Sequence, residues 1–323
     1  MSLDRKQLHV VFGVGQVGRA LATHLLAAGG TVRSVSLTRP PTLPDGIEWR
    51  CADANDHDAA ENAATGAAVI YQCLNAPYTQ WPQRFPALQQ GVLNAAERCG
   101  ALLVTLENLY GYGPTGGLAM TEALPLTATT VKGRTRAAMT QTLLDASEAG
   151  RVQIAIGRAA DLFGAGVTQS ALGDQVFAKA AAGKRADFIG NPDLLHTYSY
   201  VPDVAAGLAV LGTDDRAVGQ VWHLPGPETV TTRQILDLIA AEVEHRVAIR
   251  SVPTWALGAL GIVSPMLRGL AEMSYEFEQP FVMDTAKFDT TFGHFGTPLG
   301  AAVAATIASY LDPAVPTSAR SGE

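Results

Sequence analysis

Short apolar runs alternate with longer amphipathic stretches along the first half of this chain. The short runs predict strands, and apolar positions that recur every three to four residues predict helices. The predicted strands cover residues 8–12, 32–37, 47–51, 68–73, 101–106 and 152–157, and the predicted helices cover 16–28, 56–64, 80–99 and 131–149. This alternation implies βαβ units with right-handed crossovers, so we expect an α/β fold with a doubly wound parallel sheet.

The pattern loosens after about residue 160, where loops rich in glycine and proline become frequent. We expect a first domain over residues 1–160, a smaller substrate-side region over 161–312 that interleaves with the last sheet strands, and a frayed tail over 313–323. The elements predicted beyond residue 160 are a helix near 171–182, a strand near 186–189, a helix at 203–211, a strand at 220–224 and a helix at 232–244.

A glycine turn separates the first predicted strand from the first predicted helix. The turn has the GxGxxG pattern of dinucleotide-binding sites, in the strand–turn–helix context that the pattern requires. Its first glycine permits the tight turn, the second lets backbone N–H groups approach a pyrophosphate, and the third lets the helix pack closely on the strand. We therefore expect a Rossmann domain whose cofactor-binding residues include Gly13, Gly15, Gln16, Val17 and Gly18.

The end of the second predicted strand indicates which dinucleotide is bound. In an NAD site an Asp or Glu about 20 residues beyond the glycine turn holds the ribose 2′-hydroxyl. No acidic residue lies between Thr31 and Pro40, but Arg39 does. A guanidinium suits a 2′-phosphate through charge-assisted, bidentate contacts, so the sequence favours NADP(H). The alternative is that Arg39 is a solvated surface residue.

Composition and charge exclude several classes of partner. The formal net charge is −7 and no basic face compensates it, which argues against nucleic acid. The longest suspicious apolar run, residues 255–267, contains two glycines and a proline and is too short to span a bilayer. Three widely spaced cysteines match no metal pattern, and no signal peptide is visible, so we expect a cytoplasmic protein without a metal site.

Several further motifs occur in an order that resembles the extended short-chain dehydrogenase/reductase superfamily, in its NAD-dependent epimerase/dehydratase form. The resemblance implies that Asp53 and Ala54 contact the adenine and that the backbone of Leu74, Asn75 and Ala76 runs beneath the nucleotide. The remaining matching segments are Leu109-Tyr110-Gly111, Arg158–Gly164, Tyr200–Ala205 and Asp284–Lys287.

The chain departs from this family at its catalytic signature. The family carries Y-x-x-x-K after the fifth strand, with the Tyr as proton donor, whereas this chain places Lys132 and Arg136 at those positions. Arginine keeps its proton, so Arg136 can only supply positive charge to ribose hydroxyls or a phosphate. Lys132 could donate the proton, join Arg134 and Arg136 in a phosphate clamp, or belong to a solvated basic face.

The end of the fifth strand supplies other candidates for the proton. The family's hydroxyl residue falls on Leu106, so its function is missing or has moved to Thr105. Glu107 is a candidate general acid or base, because ligands bind at the carboxyl ends of parallel strands. The alternative is a capping or salt-bridging glutamate. Tyr110 and Tyr112 could each donate a proton, although one of the two is expected simply to pack on the loop.

Two positions bear on the substrate. The resemblance places Asp161 and His196 where the family has an Asn and an Arg that bind a sugar-nucleotide diphosphate. A carboxylate repels phosphate, so we expect a small substrate without a nucleotide. His196 could serve a substrate carboxylate or a proton relay, or be a packed loop residue.

These observations predict an NADP(H)-dependent oxidoreductase of an atypical extended short-chain type that acts on a small carbonyl or alcohol. The predicted catalytic residues are Glu107, Tyr110, Lys132 and His196. An epimerase or dehydratase that uses transient oxidation is one alternative, and a non-catalytic NADP(H)-binding sensor or scaffold is another. The apolar segment 255–270 predicts a lid over the pocket, although core packing or a homodimer surface would explain the same residues.

Overall fold

The computed structural model describes residues 7–262 and 264–311. The chain divides into two compact units. The first unit is formed by the chain up to Gly113, by Pro125–Ala159 and by Val204–Leu224. The second unit is formed by Pro114–Leu124, by Ala160–Asp203 and by the chain from Pro225 onwards.

The first half of the chain alternates strands and helices. Three of its helices begin with a side-chain or glycine cap: Gly15 precedes the first helix, while the Asp56 carboxylate accepts from Ala59 N at 3.1 Å and Thr130 Oγ1 from Gly133 N at 3.0 Å. The elements are β1 (Leu8–Phe12), α1 (Gln16–Ala27), β2 (Thr31–Ser36), β3 (Ile47–Cys51), α2 (His57–Ala64), β4 (Ala67–Gln72), a 3₁₀ turn (Tyr78–Gln80), α3 (Trp81–Cys99), β5 (Leu102–Glu107), α4 (Val131–Glu148) and β6 (Ile154–Arg158).

The second half has shorter and more varied elements. None of the helices in the described ranges has both the length and the apolar composition needed to cross a membrane. The elements are β7 (Asp161–Phe163), a π-helical turn (Gly173–Ala178), α5 (Lys179–Ala181), β8 (Ala186–Ile189), β9 (Leu195–His196), β10 (Tyr198–Tyr200), α6 (Val201–Leu211), a 3₁₀ turn (Asp215–Ala217), β11 (Gln220–His223), β12 (Val230–Thr231), α7 (Thr232–Val243), β13 (Ile249–Val252), α8 (Thr254–Leu260), α9 (Pro265–Glu272), a 3₁₀ turn (Ser274–Phe277), α10 (Ala286–Phe292) and α11 (Leu299–Leu311).

The first unit contains a seven-stranded sheet in the order β11-β6-β5-β4-β1-β2-β3. Every neighbouring pair in it is parallel. The predicted doubly wound parallel sheet is therefore confirmed, and each predicted element of residues 8–149 ends within two residues of the observed one. One face of the sheet forms an apolar core with α3 and α4 that includes Val10, Ile70, Leu103, Ile156 and Leu143.

The second unit holds three two-stranded sheets, β10–β7, β12–β9 and β13–β8. Its apolar core packs Phe163 and Phe177 with α7 and α11. The chain leaves the first unit after Ala159, returns to it over Val204–Leu224 and thereby adds β11 to the large sheet. The predicted tail over 313–323 lies outside the described residues.

Candidate functional site

The glycine turn after β1 is held between two neighbouring strands. Gly13 has φ +95°, a value that only glycine adopts readily, and its N–H donates to Val35 O of β2 at 2.9 Å. Cys73 N, just beyond β4, donates to Phe12 O at 2.8 Å. A Cβ on Gly13 would lie 2.6 Å from the Cys73 carbonyl oxygen, so any side chain there would displace the backbone after β4.

Gly18 brings α1 close to the same turn. A Cβ at this position would lie 1.9 Å from the Gly13 carbonyl oxygen and 3.4 Å from the Cys73 side chain. The close approach predicted from the sequence therefore exists, but its main contact is the carbonyl of the turn rather than the strand. Val17, the preceding residue, is buried, whereas Gln16 is half-buried.

Gly15 has the opposite surroundings, because its two chain neighbours are the only described residues that can lie within 4 Å of a Cβ built on it. Gly15 is exposed and immediately precedes α1. No side chain of the described residues caps this helix, and the first turn of the helix contains no acidic residue. The helix N-terminus therefore presents backbone N–H groups and a positive dipole end, with open space in front of them. These features fit a pyrophosphate, and a side chain at Gly15 would fill that space.

Arg39 lies three residues beyond β2, the strand next to β1. The carboxyl ends of parallel strands meet at one edge of the sheet, so Arg39 follows the same edge as the glycine turn. Its side chain is exposed and forms no hydrogen bond or ion pair with another described residue. A guanidinium in this state can bind a phosphate without first breaking an ion pair. Its role in cofactor choice stays a prediction.

The loop after β3 carries the two predicted adenine-contacting residues. Asp53 Oδ1 accepts hydrogen bonds from the backbone N and the side-chain Nδ2 of Asn55, both at 2.9 Å, so the carboxylate is fixed by an Asx turn. Ala54 is buried against α3 at Gly91, where a Cβ would lie 1.7 Å from the Ala54 carbonyl oxygen. Gly91 thus sets the position of this loop.

The segment after β4 leads into an aromatic cluster. Leu74 is half-buried, Asn75 is exposed and Ala76 is buried. The Ala76 carbonyl accepts a hydrogen bond from Trp81 Nε1 at 3.0 Å. We define the aromatic cluster as Tyr78, Trp81, Phe85 and Tyr110, whose rings meet in pairs at centroid distances of 5.3–5.7 Å.

Lys132 and Arg136 lie one turn apart on α4 and both point into buried surroundings. Lys132 is 5% exposed, and its Nζ lies 4.3 Å from the centroid of the Tyr78 ring. Arg136 is 3% exposed, with its guanidinium carbon 4.7 Å from the centroid of the Phe85 ring. The aromatic cluster therefore holds both cations through cation–π contacts. A solvated basic face fits only Arg134, which is exposed.

Arg136 is incompletely paired. Its Nη2 donates to the Leu106 carbonyl at 3.3 Å, while its buried Nε has no hydrogen-bond partner among the described residues. Burial lowers the pKa of Arg136, and the nearby Glu107 carboxylate opposes that shift. Because an arginine stays protonated in proteins, Arg136 is a permanent positive charge at the end of β5.

Glu107 is part of a buried ion pair. It is 4% exposed, and its Oε2 accepts from Arg158 Nε at 3.2 Å. Thr140 Oγ1 lies 2.8 Å from both carboxylate oxygens. Burial lowers the pKa of Arg158, but the charge of Glu107 and the contacts with Tyr112 raise it overall. The salt-bridging alternative for Glu107 is thus present in the structure, and its predicted acid–base role stays untested.

Tyr112 continues this network. Arg158 Nη1 lies 2.6 Å from the Tyr112 hydroxyl, which lies 2.7 Å from His223 Nε2, and all three side chains are buried. Since an arginine only donates, the hydroxyl oxygen accepts from Arg158, and the tautomer of His223 decides which group donates in the second contact. The network joins the loop after β5 to β6 and β11.

Tyr110 is half-buried and belongs to the aromatic cluster. Its ring centroid is 5.7 Å from that of Trp81, and its backbone carbonyl lies against α4, where a Cβ on Gly133 would approach to 2.6 Å. Tyr110 and Lys132 therefore both contact the aromatic cluster, through Trp81 and Tyr78. Thr105, the other hydroxyl candidate, is buried and its Oγ1 has no hydrogen-bond partner.

His196 lies in the second unit, on β9. Its Nε2 is 2.9 Å from Asp161 Oδ2, and its ring stacks with Tyr198, Phe277 and Phe281 at centroid distances of 4.5–5.2 Å. His196 is buried, so the packed alternative of the sequence analysis describes its surroundings. The two residues that the sequence analysis places at the family's diphosphate-binding positions are therefore paired with each other.

Several contributors to the site were not predicted. In the sequence, Gly91 can be recognised only as a glycine inside a long helical pattern, where a glycine usually permits close packing. Phe85 and Thr140 look like ordinary helix residues until α3 and α4 are placed against β5. His223 ends a short strand, and nothing in the sequence pairs it with Tyr112.

Comparison with known proteins agrees with this geometry. The family model of the NAD-dependent epimerase/dehydratase family matches residues 9–224. The chain belongs to this family. A curated relative, dTDP-6-deoxy-L-talose 4-dehydrogenase (NAD(P)(+)) of Kitasatospora kifunensis, is 26% identical over 260 residues, which are 76% of this chain and 81% of the relative.

Solved structures of this family share the fold. UDP-glucuronic acid 4-epimerase from Bacillus cereus, in complex with UDP-glucuronic acid and NAD, superposes with a TM-score of 0.76 at 16% identity and covers 94% of this chain and 99% of that one. UDP-glucose 4-epimerase from Thermus thermophilus, in complex with NAD, gives 0.74 at 16% identity and covers 94% and 99%. At such identities the likeness establishes the fold alone.

Proposed function

We propose that this family member is an NADP(H)-dependent oxidoreductase that acts on a small carbonyl or alcohol compound without a nucleotide. The observation that carries the proposal is that an open glycine turn, with no side-chain cap at Gly15, lies on the same sheet edge as Arg39, which is exposed and makes no hydrogen bond or ion pair with another described residue. The first suits a pyrophosphate and the second a ribose 2′-phosphate. The name of the Kitasatospora relative, which allows both NAD and NADP, is compatible with this choice.

The residues that would hold the cofactor follow from the fold. The turn at Gly13 and Gly15 would take the pyrophosphate, Arg39 the 2′-phosphate, and the loop at Asp53 the adenine side. A bound nicotinamide would supply the hydride transfer, which is chemistry that protein side chains cannot perform. The protein then has to orient the reactants and move one proton.

Lys132 is the group that we propose to move this proton. An ammonium has three N–H donors and, unlike the guanidinium of Arg136, can release one of them. Glu107 is already engaged by Arg158 and Thr140, which favours a positioning role. Tyr110 is the second candidate, since it keeps a partly exposed phenol.

The proposed substrate class is based on two residues of the second unit, Asp161 and His196. Family members with sugar-nucleotide substrates use an Asn and an Arg where this chain has Asp161 and His196, and the carboxylate would repel a diphosphate. The paired arrangement at 2.9 Å keeps His196 from acting as an unpaired cation toward phosphate. We therefore propose that nucleotide sugars are not substrates.

The cofactor preference gives a direct prediction. We expect NADPH to bind more tightly than NADH, and Arg39→Ala to weaken NADPH binding by about 1.5–3 kcal/mol, the usual value of a hydrogen bond to a charged group. NADH, which lacks the ribose 2′-phosphate, should bind the variant and the wild type with equal affinity. Fluorescence titration of both proteins with both cofactors measures this. Equal affinity of the wild type for NADPH and NADH would refute the preference.

The reaction itself is tested by following NADPH absorbance with a panel of small carbonyl compounds. Net oxidation of NADPH supports the proposed oxidoreductase. A product formed without net NADPH consumption indicates an epimerase or dehydratase, and tight NADPH binding with no turnover indicates a sensor or scaffold. Calorimetric titration of the NADPH complex with UDP- and dTDP-sugars should show no saturable binding, and micromolar binding would show the substrate class to be wrong.

A further inference from the structure

Tyr112 is buried close to the candidate site, yet the proposed chemistry gives it no role. It lies two residues after Tyr110, in the loop that follows β5, and is 2% exposed. Its hydroxyl, its ring and its backbone carbonyl each contact a different residue of the first unit. These contacts connect the loop to α4, the helix that carries Lys132.

The hydroxyl of Tyr112 reaches α4 through a buried ion pair. Arg158 Nη1 donates to this hydroxyl at 2.6 Å, and the guanidinium carbon lies 4.7 Å from the centroid of the Tyr112 ring. Arg158 Nε contacts Glu107 Oε2 at 3.2 Å, and both Glu107 oxygens lie 2.8 Å from Thr140 Oγ1. Thr140 belongs to α4, about two turns after Lys132. The Tyr112 hydroxyl thus supports the contact that holds the middle of α4 against the end of β5.

The backbone of the same loop contacts the beginning of α4. Thr127 Oγ1 donates to the Tyr112 carbonyl at 3.0 Å, and Thr127 lies just before Thr130, the N-cap of the helix. A Cβ on Gly133 would lie 2.6 Å from the Tyr110 carbonyl oxygen, so the first turn of α4 is in direct contact with the loop. Tyr112 therefore supports both the beginning and the middle of this helix.

Lys132 lies in the stretch of α4 between these two contacts. Its Nζ is 4.3 Å from the centroid of the Tyr78 ring, and Tyr78 belongs to another element, the 3₁₀ turn before α3. A shift of α4 relative to the sheet would therefore move the ammonium away from this ring. Displacement of a reacting group by about 1 Å can slow a reaction about 100-fold.

We propose that Tyr112 is a positioning residue, which holds α4 through Arg158 and Thr127 so that Lys132 stays over the Tyr78 ring. The proposal deepens the proposed function, since it rests on Lys132 as the group that moves the proton. Arg158 is buried, and an unsatisfied buried donor costs free energy. Without the Tyr112 hydroxyl its guanidinium would turn towards another acceptor and loosen the ion pair that contacts α4.

The position of Lys132 can be measured by NMR without cofactor, substrate or turnover. The chain has five lysines, so lysine labelled with ¹³C at Cε gives a simple spectrum. Protons held over the face of an aromatic ring resonate upfield, so the Hε signal of Lys132 should lie upfield of the others. Lys132→Met removes this signal and thereby assigns it. Tyr78→Leu should return it to the range of the other lysines, which shows that the ring causes the shift.

Tyr112→Phe keeps the ring and removes only the hydroxyl. We expect the Lys132 signal to lose most of its upfield shift, and turnover on a confirmed substrate to fall by about 10–100-fold. The matched control is Tyr71→Phe, because Tyr71 is also a buried tyrosine of the first unit and its hydroxyl pairs with His9 at 3.1 Å. This control loses a buried hydroxyl as well but should leave the Lys132 signal in place. An unchanged Lys132 signal in Tyr112→Phe would overturn the proposal.

Thr127→Val tests the backbone contact and covers the case in which Tyr112→Phe does not fold. Thr127 is exposed, so this substitution leaves the core intact and removes only the hydroxyl that binds the Tyr112 carbonyl. The Lys132 signal should move in the same direction by a smaller amount. If the Tyr112 variant does not fold, an unchanged signal in Thr127→Val overturns the proposal. Because the signal is read without turnover, a wild type that reduces no substrate would count against the proposed function alone.

Discussion

Replacing Gly15 by valine should abolish NADPH binding while the protein stays folded. The wild-type backbone at Gly15 has φ −65°, which valine tolerates, and a Cβ there meets no atom within 4 Å. The added side chain would instead occupy the space in front of α1. Two lost backbone hydrogen bonds to a phosphate, at about 1.5–3 kcal/mol each, predict at least ~100-fold weaker binding.

The matched control for this substitution is Gly300→Val. Gly300 is also exposed, lies in the first turn of α11 and has open space around its Cβ position. Its variant should bind NADPH as the wild type does. Circular dichroism and thermal melts establish folding, and fluorescence titration measures the cofactor affinity. A folded Gly15→Val protein with normal affinity would mean that the glycine turn has no role in binding.

A substitution at Gly18 does not test the cofactor-binding role of the glycine turn, although Gly18 belongs to the same motif. A Cβ there would lie 1.9 Å from the Gly13 carbonyl, so its variants would disturb the turn itself. The two glycines of this pattern are therefore needed for different physical reasons. Gly15 leaves open space in front of α1, whereas Gly18 leaves room for the Gly13 carbonyl.

The first unit could be predicted from the sequence because its signals are local. Each strand of the sheet up to β6 has five or six residues, and α1, α2 and α3 carry an apolar face, so periodicity identifies these elements. In the second unit β9 and β12 have two residues each, too few for any period to appear. From β13 to α11 the sequence analysis predicts an apolar lid over residues 255–270 but no individual strands or helices.

The site was less predictable, because its chemistry depends on residues that are distant in sequence. Glu107 pairs with Arg158 across 51 positions, and His196 pairs with Asp161 across 35. Each of these residues can be identified from the sequence as a candidate with several possible roles, but its interaction partner can be identified only from the fold. Lys132 illustrates the same limit. Its burial over the Tyr78 ring follows from how α4 packs and not from the basic run in which it lies.

Removal of the Lys132 ammonium should have the largest effect on the chemistry. On a confirmed substrate, Lys132→Met should lower turnover by the 10²–10⁴-fold that is typical of a lost general acid or base. Lys132→Arg keeps the positive charge but cannot release a proton, so it should remain equally inactive. Arg134→Met is the matched control, since Arg134 is the exposed basic residue of the same turn and should be dispensable.

The other two candidates for the proton transfer, Glu107 and Tyr110, can be distinguished by how their substitution changes the stability of the protein. Glu107→Gln leaves Arg158 buried without its carboxylate, so a loss of activity there should come with a stability loss of about 3–5 kcal/mol. Tyr110→Phe keeps the ring of this half-buried residue and removes only its hydroxyl, so it should change the Tm far less than Glu107→Gln does. A fall in activity at constant Tm in this variant would assign the proton to Tyr110.

Cofactor affinity, measured beside turnover, distinguishes the two roles of Lys132. If Lys132→Met weakens NADPH binding but keeps turnover at saturating cofactor, Lys132 is a cofactor ligand. If it spares binding and removes turnover, Lys132 transfers the proton. Near wild-type turnover in Lys132→Met, Tyr110→Phe and Glu107→Gln together would contradict the whole assignment. The proton would then come from water or from the segment that carries His196, which His196→Asn tests directly.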